Sequence, residues 1–101
     1  MKDLITKTPN ENVPILFDFS EHLAEGETIT GAILAVNAMN GLDATPQSHV
    51  SSPQPVAAEV YTLFTAGTRG EDYMILCRAT TSNGQVLDSW AIQKVRDPLD
   101  A

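Results

Sequence analysis

Two histidines and one cysteine are the residues of this sequence with the widest chemical range. A structural zinc site needs Cys or His ligands at short spacing, and neither His22 nor His49 has a cysteine or a second histidine nearby in the chain. Cys77 lies in the apolar run Tyr73–Thr81, where a thiol is more often inert packing than a reactive thiolate. No sequence signature links either histidine to Cys77 or to a serine. We therefore expect neither a metal site nor a nucleophile among these residues.

Paired carboxylates offer a second possible chemistry, general acid–base catalysis. The sequence has two such pairs, Glu25/Glu27 and Glu71/Asp72, but catalysis needs one member of a pair in a desolvated pocket. Both pairs flank predicted turns, so we expect them to be solvated. The short run Gly67–Gly70 is too small for a phosphate-binding loop, and no predicted helix follows it. The residues favour neither an enzyme nor a cofactor site.

Composition and charge narrow the class of protein further. The chain has 101 residues, one cysteine and a formal net charge of −7. Nucleic-acid binding needs a basic face, so we expect no nucleic-acid partner. A single cysteine cannot form an internal disulfide, which fits synthesis in a reducing cytoplasm. Residues 1–12 lack the apolar stretch of a signal peptide, and no apolar run reaches the ~20 residues of a membrane span. We expect one soluble domain without a membrane partner.

The negative charge is concentrated near the start of the chain. Residues 13–30 carry four acidic residues and no Lys or Arg: Asp18, Glu21, Glu25 and Glu27. Such a patch keeps a domain soluble, and it could also complement a basic partner.

Alternation of apolar and polar residues with a period of two predicts the secondary structure. No helical segment of useful length is apparent, and turn residues separate the alternating runs. Five or six strands of this kind predict an all-β sandwich. The predicted strands are Val13–Phe19, Thr28–Ala38 with a bulge at Gly31, Ala57–Phe64, Tyr73–Thr81 and Gln85–Val95, with a possible short irregular strand around His49–Ser51.

Four features carry the structural prediction. Asn83-Gly84 is the clearest hairpin signal, because this dipeptide tolerates the positive φ angles of a tight β-turn. Tyr73 follows a Gly-rich corner, as in the tyrosine corner of immunoglobulin-like and fibronectin-type domains, where the phenol hydroxyl bonds back to the corner backbone. Phe17 and Trp90 are expected to anchor the core, because aromatic residues are few. The predicted fold is therefore an immunoglobulin-like β-sandwich.

Three segments lie outside the regular pattern. Residues 1–12 are polar, and we expect them to form an extended N-terminal arm. We expect residues 13–97 to form the sandwich and residues 98–101 to form a C-terminal tail. Residues 39–55 are rich in proline and long for a connection in so small a domain. This segment is either a functional loop or merely a mobile one.

A resemblance to a known family emerges when the motifs are taken together. The sequence resembles a family of small tailed-bacteriophage virion proteins described as fiber–tail adaptors or as tail and neck accessory proteins. The resemblance spans nearly the whole chain, although residues 39–55 are longer and richer in proline than the family pattern. The matching pieces are Lys7-Thr8-Pro9, Phe17–Ser20, Glu27–Ala32, Thr65–Tyr73, Arg78–Gly84 and Asp88–Trp90.

The resemblance implies a non-enzymatic structural component of a virion, synthesised in the host cytoplasm and located in the tail or neck. It implies an adaptor subunit that links the tail or neck to fibers or neighbouring tail proteins, with copies arrayed in a homo-oligomeric ring. The arm and the long loop are the expected contact segments, and their candidate contact residues are Lys7, Pro9, Thr45, Pro46, His49 and Pro53.

A binding module for a carbohydrate or a cell-surface ligand is the alternative. Such a module needs exposed aromatic side chains on one face or loop, and the long loop at residues 39–55 contains none. A small enzyme is the third hypothesis, and no residue pattern supports it.

Overall fold

The alternating runs of the sequence form β-strands, and the structure contains no α-helix among the residues it describes, which are 2–3 and 6–97 of a computed structural model. Two single 3-10 turns, Ser20–His22 and Pro46–His49, interrupt the strands. The strands are β1 Lys2–Asp3, β2 Asn12–Asp18, β3 Ile29–Ala38, β4 Gln54–Val56, β5 Glu59–Thr65, β6 Asp72–Thr81 and β7 Val86–Lys94. The all-β prediction is confirmed. The described residues form seven strands where five or six were expected. Two of them, β1 and β4, span only two and three residues and are too short to show an alternating pattern.

The strands form two sheets. The larger sheet has the order β1-β7-β6-β3, in which β1 runs parallel to β7 and the other neighbours are antiparallel. The smaller sheet is antiparallel throughout and has the order β2-β5-β4. The long strand β3 and the short strand β1 are therefore the two edges of the larger sheet.

One hydrophobic core lies between the two sheets. Buried and exposed positions alternate along β2, β5 and β6, as a period of two predicts. Both sheets contribute to the same buried cluster, so the chain is a β-sandwich. The buried residues from these three strands are Ile15, Phe17, Val60, Phe64, Tyr73, Ile75, Cys77 and Ala79.

Trp90 is not the core anchor that the sequence predicted. Its side chain is 39% exposed on the outer face of β7, while the next residue, Ala91, points into the core. Both faces of β7 carry apolar residues, so the alternation alone could not tell which face points inward. The immunoglobulin-like type of the sandwich stays a prediction.

The hairpin between β6 and β7 is confirmed. Gly84 adopts a φ of +84°, and its backbone N–H donates to the carbonyl of Thr81 at 3.0 Å. Asn83 precedes Gly84 in this turn, as expected for a tight β-hairpin. The bulge expected at Gly31 also appears, as a shift in the β3–β6 register between Ile29 and Gly31.

The predicted free N-terminal arm is not confirmed. Lys2–Asp3 pair with Ala91 and Ile92 of β7. The Lys7 N–H donates to the carbonyl of Lys94 at 3.0 Å, and the Arg96 N–H donates to the carbonyl of Lys7 at 2.9 Å. The described part of the segment therefore extends the larger sheet beside β7. The predicted C-terminal tail, residues 98–101, lies outside the described residues.

We predict that Gly67→Ala destabilises the fold strongly. Gly67 has a φ of +103°, and a Cβ placed there would lie 2.9 Å from Val95 Cγ2 and 3.3 Å from the Phe64 ring. Gly26 has a φ of +79°, and a Cβ added to it would meet no atom within 4 Å. Gly26 is therefore the matched control for backbone strain alone.

Denaturant unfolding measures the difference between the two variants. Gly26→Ala should cost about 1–2 kcal/mol, the penalty of a left-handed backbone for an L-residue. Gly67→Ala should cost about 1–3 kcal/mol more, because the added methyl also overpacks the corner. Equal losses in the two variants would contradict the packing argument.

Candidate functional site

The Tyr73 hydroxyl joins the corner after β5 to the long loop at residues 39–55. The ring is fully buried, and the hydroxyl accepts a hydrogen bond from the backbone N–H of Thr68 at 2.8 Å. This is the bond back to the corner backbone that the sequence led us to expect. The same hydroxyl donates to Asp43 Oδ2 at 2.7 Å, a contact that the sequence did not indicate. One buried phenol thus fixes two loops.

Asp43 connects Tyr73 to His49 within the loop. His49 Nε2 lies 2.7 Å from Asp43 Oδ2, and Asp43 Oδ1 accepts the backbone N–H of Thr45 at 2.9 Å. The hydrogen bond from Tyr73 is the main cause that lowers the pKa of Asp43 to about 2, and the bonds from Thr45 and His49 add to it. Burial is the main reason that the pKa of Tyr73 is raised. The arrangement stabilises the carboxylate form of Asp43.

The His49 ring packs against the core aromatic residues. Its centroid lies 5.8 Å from that of Phe64, in a stacked arrangement, and 5.6 Å from that of Tyr73, edge to face. The neighbouring residue Val50 forms a β-bridge with Phe64, and the Ser51 N–H donates to the carbonyl of Leu63. The irregular strand expected near residues 49–51 is therefore an isolated bridge, followed by β4.

Glu71 is buried, which corrects the expectation that the paired carboxylates are solvated. Its exposure is 0%, and its carboxylate accepts three backbone N–H groups, from Asn40 at 2.7 Å, Leu42 at 2.8 Å and Asp72 at 2.8 Å. These donors belong to the start of the long loop and to the start of β6. Since turns leave backbone N–H groups unpaired, a carboxylate beside a turn can satisfy them inside the fold.

Glu27 is a second buried carboxylate with the same role at another turn. It accepts the Thr81 hydroxyl, the Ala24 N–H at 2.8 Å and the Gln85 side-chain amide. The Thr81 hydroxyl and then the Ala24 N–H are the main causes that lower the pKa of Glu27. Glu25, its partner in the sequence pair, is exposed. The two glutamates therefore do not share a site.

Lys7 is buried, so the structure does not offer it as a surface contact. Its exposure is 1%, and its ammonium donates to the carbonyls of Thr8 and Ala66 and lies 5.5 Å from the Phe64 ring centroid. Burial lowers the pKa of this ammonium. Lys7 was expected to contact another protein, but its side chain instead bonds the N-terminal segment to the corner after β5. Pro9 lies half-buried beside it.

The other expected contact residues lie on the long loop. Thr45 is exposed, and Pro46 and His49 begin and end the 3-10 turn beside it. Pro53 is half-buried and lies just before β4. The turn brings Thr45, Pro46 and His49 together, and their contact role stays a prediction.

Two apolar outer faces were missed by the sequence interpretation. On the smaller sheet, Leu16 and Tyr61 are register partners, Leu63 lies two residues further along β5, and all three are 38–39% exposed. On the larger sheet, Leu76 lies directly opposite Trp90. The signal was present in the sequence as large apolar residues at the outward positions of alternating strands.

The remaining chemical candidates show no reactive geometry. The described ranges 2–3 and 6–97 contain no group of three or more His, Cys, Asp or Glu that could hold a metal ion. Cys77 is fully buried, and burial is the main cause that raises the pKa of its thiol to about 11. In the part of the chain that the structure describes, no helix is long and apolar enough to cross a membrane.

A known protein family matches most of the chain. The family model described as "Podophage GP4 fiber-tail adaptor protein gp77" matches residues 7–92, most of the chain and both sheets. The chain belongs to this family. Its role is therefore that of a structural adaptor in the phage virion, located in the tail. A search of curated proteins found no significant match.

We predict that Asp43→Asn lowers stability in a pH-dependent way. Because the pKa of Asp43 is about 2 in the folded chain against an ordinary 3.8, its carboxylate form stabilises the fold above about pH 4. This contribution is lost as the pH falls from about 4 towards 2. The variant should be less stable than the wild type by about 1 kcal/mol at pH 7, a value reduced for solvent screening.

Chemical unfolding between pH 2 and pH 7 measures this difference. The gap between wild type and Asp43→Asn should narrow below pH 4, because the protonated acid resembles the amide. Glu25→Gln, at an exposed carboxylate, is the control and should leave the unfolding curve unchanged within about 0.5 kcal/mol. A gap that stays constant with pH would refute the role of Asp43.

Proposed function

We propose that the protein is an adaptor subunit arrayed in a homo-oligomeric ring, which links the tail or neck to fibers or to neighbouring tail proteins. The observation that carries this proposal is the pair of apolar outer faces. The smaller sheet presents Leu16, Tyr61 and Leu63, and the larger sheet presents Leu76 and Trp90. Since the inner faces of the sheets share one core, these outer faces lie on opposite sides of the sandwich.

Two apolar faces on opposite sides suit a subunit that is held between two neighbours. Contiguous exposed apolar surface is uncommon on soluble monomers and marks interaction sites. A head-to-tail contact, in which one face meets a different face of the next copy, generates a closed ring when its rotation allows closure. Each contact can be weak, because repetition around a ring multiplies it by avidity.

The loops of this subunit are held by buried bonds, which favours a contact role for them. The long loop is tied down by Glu71 and Tyr73, so docking through Thr45, Pro46, His49 or Pro53 would cost little ordering entropy. The fiber or tail proteins that meet the ring would carry basic surface, since each copy of the chain has a net charge of −7. A single cysteine, buried in the core, fits synthesis in the host cytoplasm.

The non-enzymatic interpretation is part of the same proposal. The buried carboxylates Glu27 and Glu71 are occupied by hydrogen bonds that hold turns, and the Asp43–His49 pair holds the long loop. The carbohydrate-binding alternative gains no support, because the exposed aromatic residues Trp90 and Tyr61 lie on different sheets and do not form one platform.

Incorporation into tails that lack this protein tests the proposal. We expect purified wild-type protein to bind such tails, and Leu63→Lys to bind at least roughly tenfold more weakly, because a charge then enters an apolar contact. Ala24→Lys adds the same charge at an exposed turn outside both faces and should bind like the wild type.

Co-sedimentation with the tails measures the bound fraction, and thermal unfolding verifies that both variants are folded. Failure of the wild-type protein to bind the tails would overturn the adaptor role. Equal binding by Leu63→Lys and Ala24→Lys would overturn the use of the outer face of the smaller sheet.

A further inference from the structure

Strand β3 has an open edge. In an antiparallel strand, alternate residues point their N–H and C=O groups towards the same neighbour. The Met39 N–H donates to the carbonyl of Asp72, which begins β6, so the odd-numbered residues of β3 after the bulge, from Gly31 to Asn37, face that strand. Ala32, Leu34 and Val36 therefore face the free edge. Within the described residues, the Ala32 N–H and C=O and the Leu34 N–H make no hydrogen bond there.

Further along this edge, the side-chain amide of Gln47 bonds to the backbone of β3 in the way that a peptide group of a neighbouring strand would. The Gln47 amide nitrogen donates to the Leu34 carbonyl at 2.8 Å, and its amide oxygen accepts the Val36 N–H at 3.0 Å. A neighbouring strand would make the same pair of bonds with one of its peptide units. The edge of β3 therefore already hydrogen-bonds to one amide group. Gln47 occupies the Leu34 C=O and the Val36 N–H at one end of the edge.

A groove runs along the part of the edge that Gln47 leaves open. It has a volume of about 360 Å³ and lies between β3 and residues 50–53 of the long loop. None of the residues that line it is charged, and Ile33 on its β3 side is 64% exposed. Uncharged walls beside unpaired backbone groups favour an uncharged, extended segment of chain.

We propose that this groove receives an extended, uncharged segment of a neighbouring virion protein, which adds a strand to the edge of β3. The proposal rests on the adaptor role and names the chemistry of one contact. The incoming segment would pair with the Ala32 N–H and C=O and the Leu34 N–H, and its side chains would contact Ile33 and Val50.

The occupant is a single strand rather than a second copy of this chain. The loop residues 50–53 form the far wall of the groove beside β3. Direct pairing of β3 with β3 of another copy would place this loop against the sheet of the other copy, whereas an isolated segment carries no second sheet.

Hydrogen exchange on the protein bound to tails tests the pairing. The Ala32 and Leu34 amides should exchange quickly in the free protein and at least roughly tenfold more slowly in the tail-bound protein. The Ala35 amide faces β6 and should be protected in both states. Unchanged rates at Ala32 and Leu34 in the bound state would overturn the proposal while the adaptor role stands.

Two variants test the same edge independently. Ile33→Lys places a charge in the groove and should weaken tail binding at least roughly tenfold, because charged side chains block strand addition. Ala24→Lys adds the same charge at an exposed turn outside both outer faces, so it is the control and should bind like the wild type. Ala32→Pro removes one edge N–H that β6 does not use, and it should also weaken binding.

The outcomes separate the two proposals. Equal binding by Ile33→Lys and Ala24→Lys would refute the groove, whether or not Ala32→Pro folds. A dimer of the free protein that forms with rising concentration and disappears in Ile33→Lys would show that a second copy occupies the edge. Failure of the wild type to bind tails at all would count against both the groove and the adaptor role.

Discussion

Buried charged and polar side chains that pair with loop backbone are the constraint on which the rest of this structure depends. Glu71 holds three backbone N–H groups, Tyr73 joins two loops, and Lys7 reaches two carbonyls. Every buried side-chain nitrogen and oxygen among the described residues has a hydrogen-bond partner. Leaving such a group unpaired in a low-dielectric interior would cost about 1–3 kcal/mol, so each bond fixes the position of a loop.

This constraint explains how so small a sandwich can serve as a rigid adaptor. The core between the sheets sets the two outer faces apart, and the buried bonds keep the long loop against β5 and β6. Docking surfaces that are already ordered lose little entropy when they meet a neighbour. The same loop forms one wall of the groove beside β3, so the pairing of Glu71 and Tyr73 also shapes the edge that we propose for strand addition.

The sequence predicted those features that depend on local pattern. Alternation located the strands β2, β5 and β6, and Asn83-Gly84 located the hairpin, because both signals act over a few residues. The sequence pattern did not predict the exposure of Trp90, since β7 is apolar on both faces. It did not predict the burial of Glu71 either, because the partners Asn40 and Leu42 lie on another segment. Lys7 bonds to a carbonyl 59 residues away, a contact that no local pattern contains. Long-range polar contacts and the apolar outer faces therefore required the structure.

In the proposed adaptor, both outer faces of the sandwich are buried between neighbours in the phage tail. Electron cryo-microscopy of the assembled tail tests it most directly. We expect Leu63 on the smaller sheet and Trp90 on the larger sheet each to contact a different neighbouring subunit. A reconstruction in which either face lies open to solvent would contradict it.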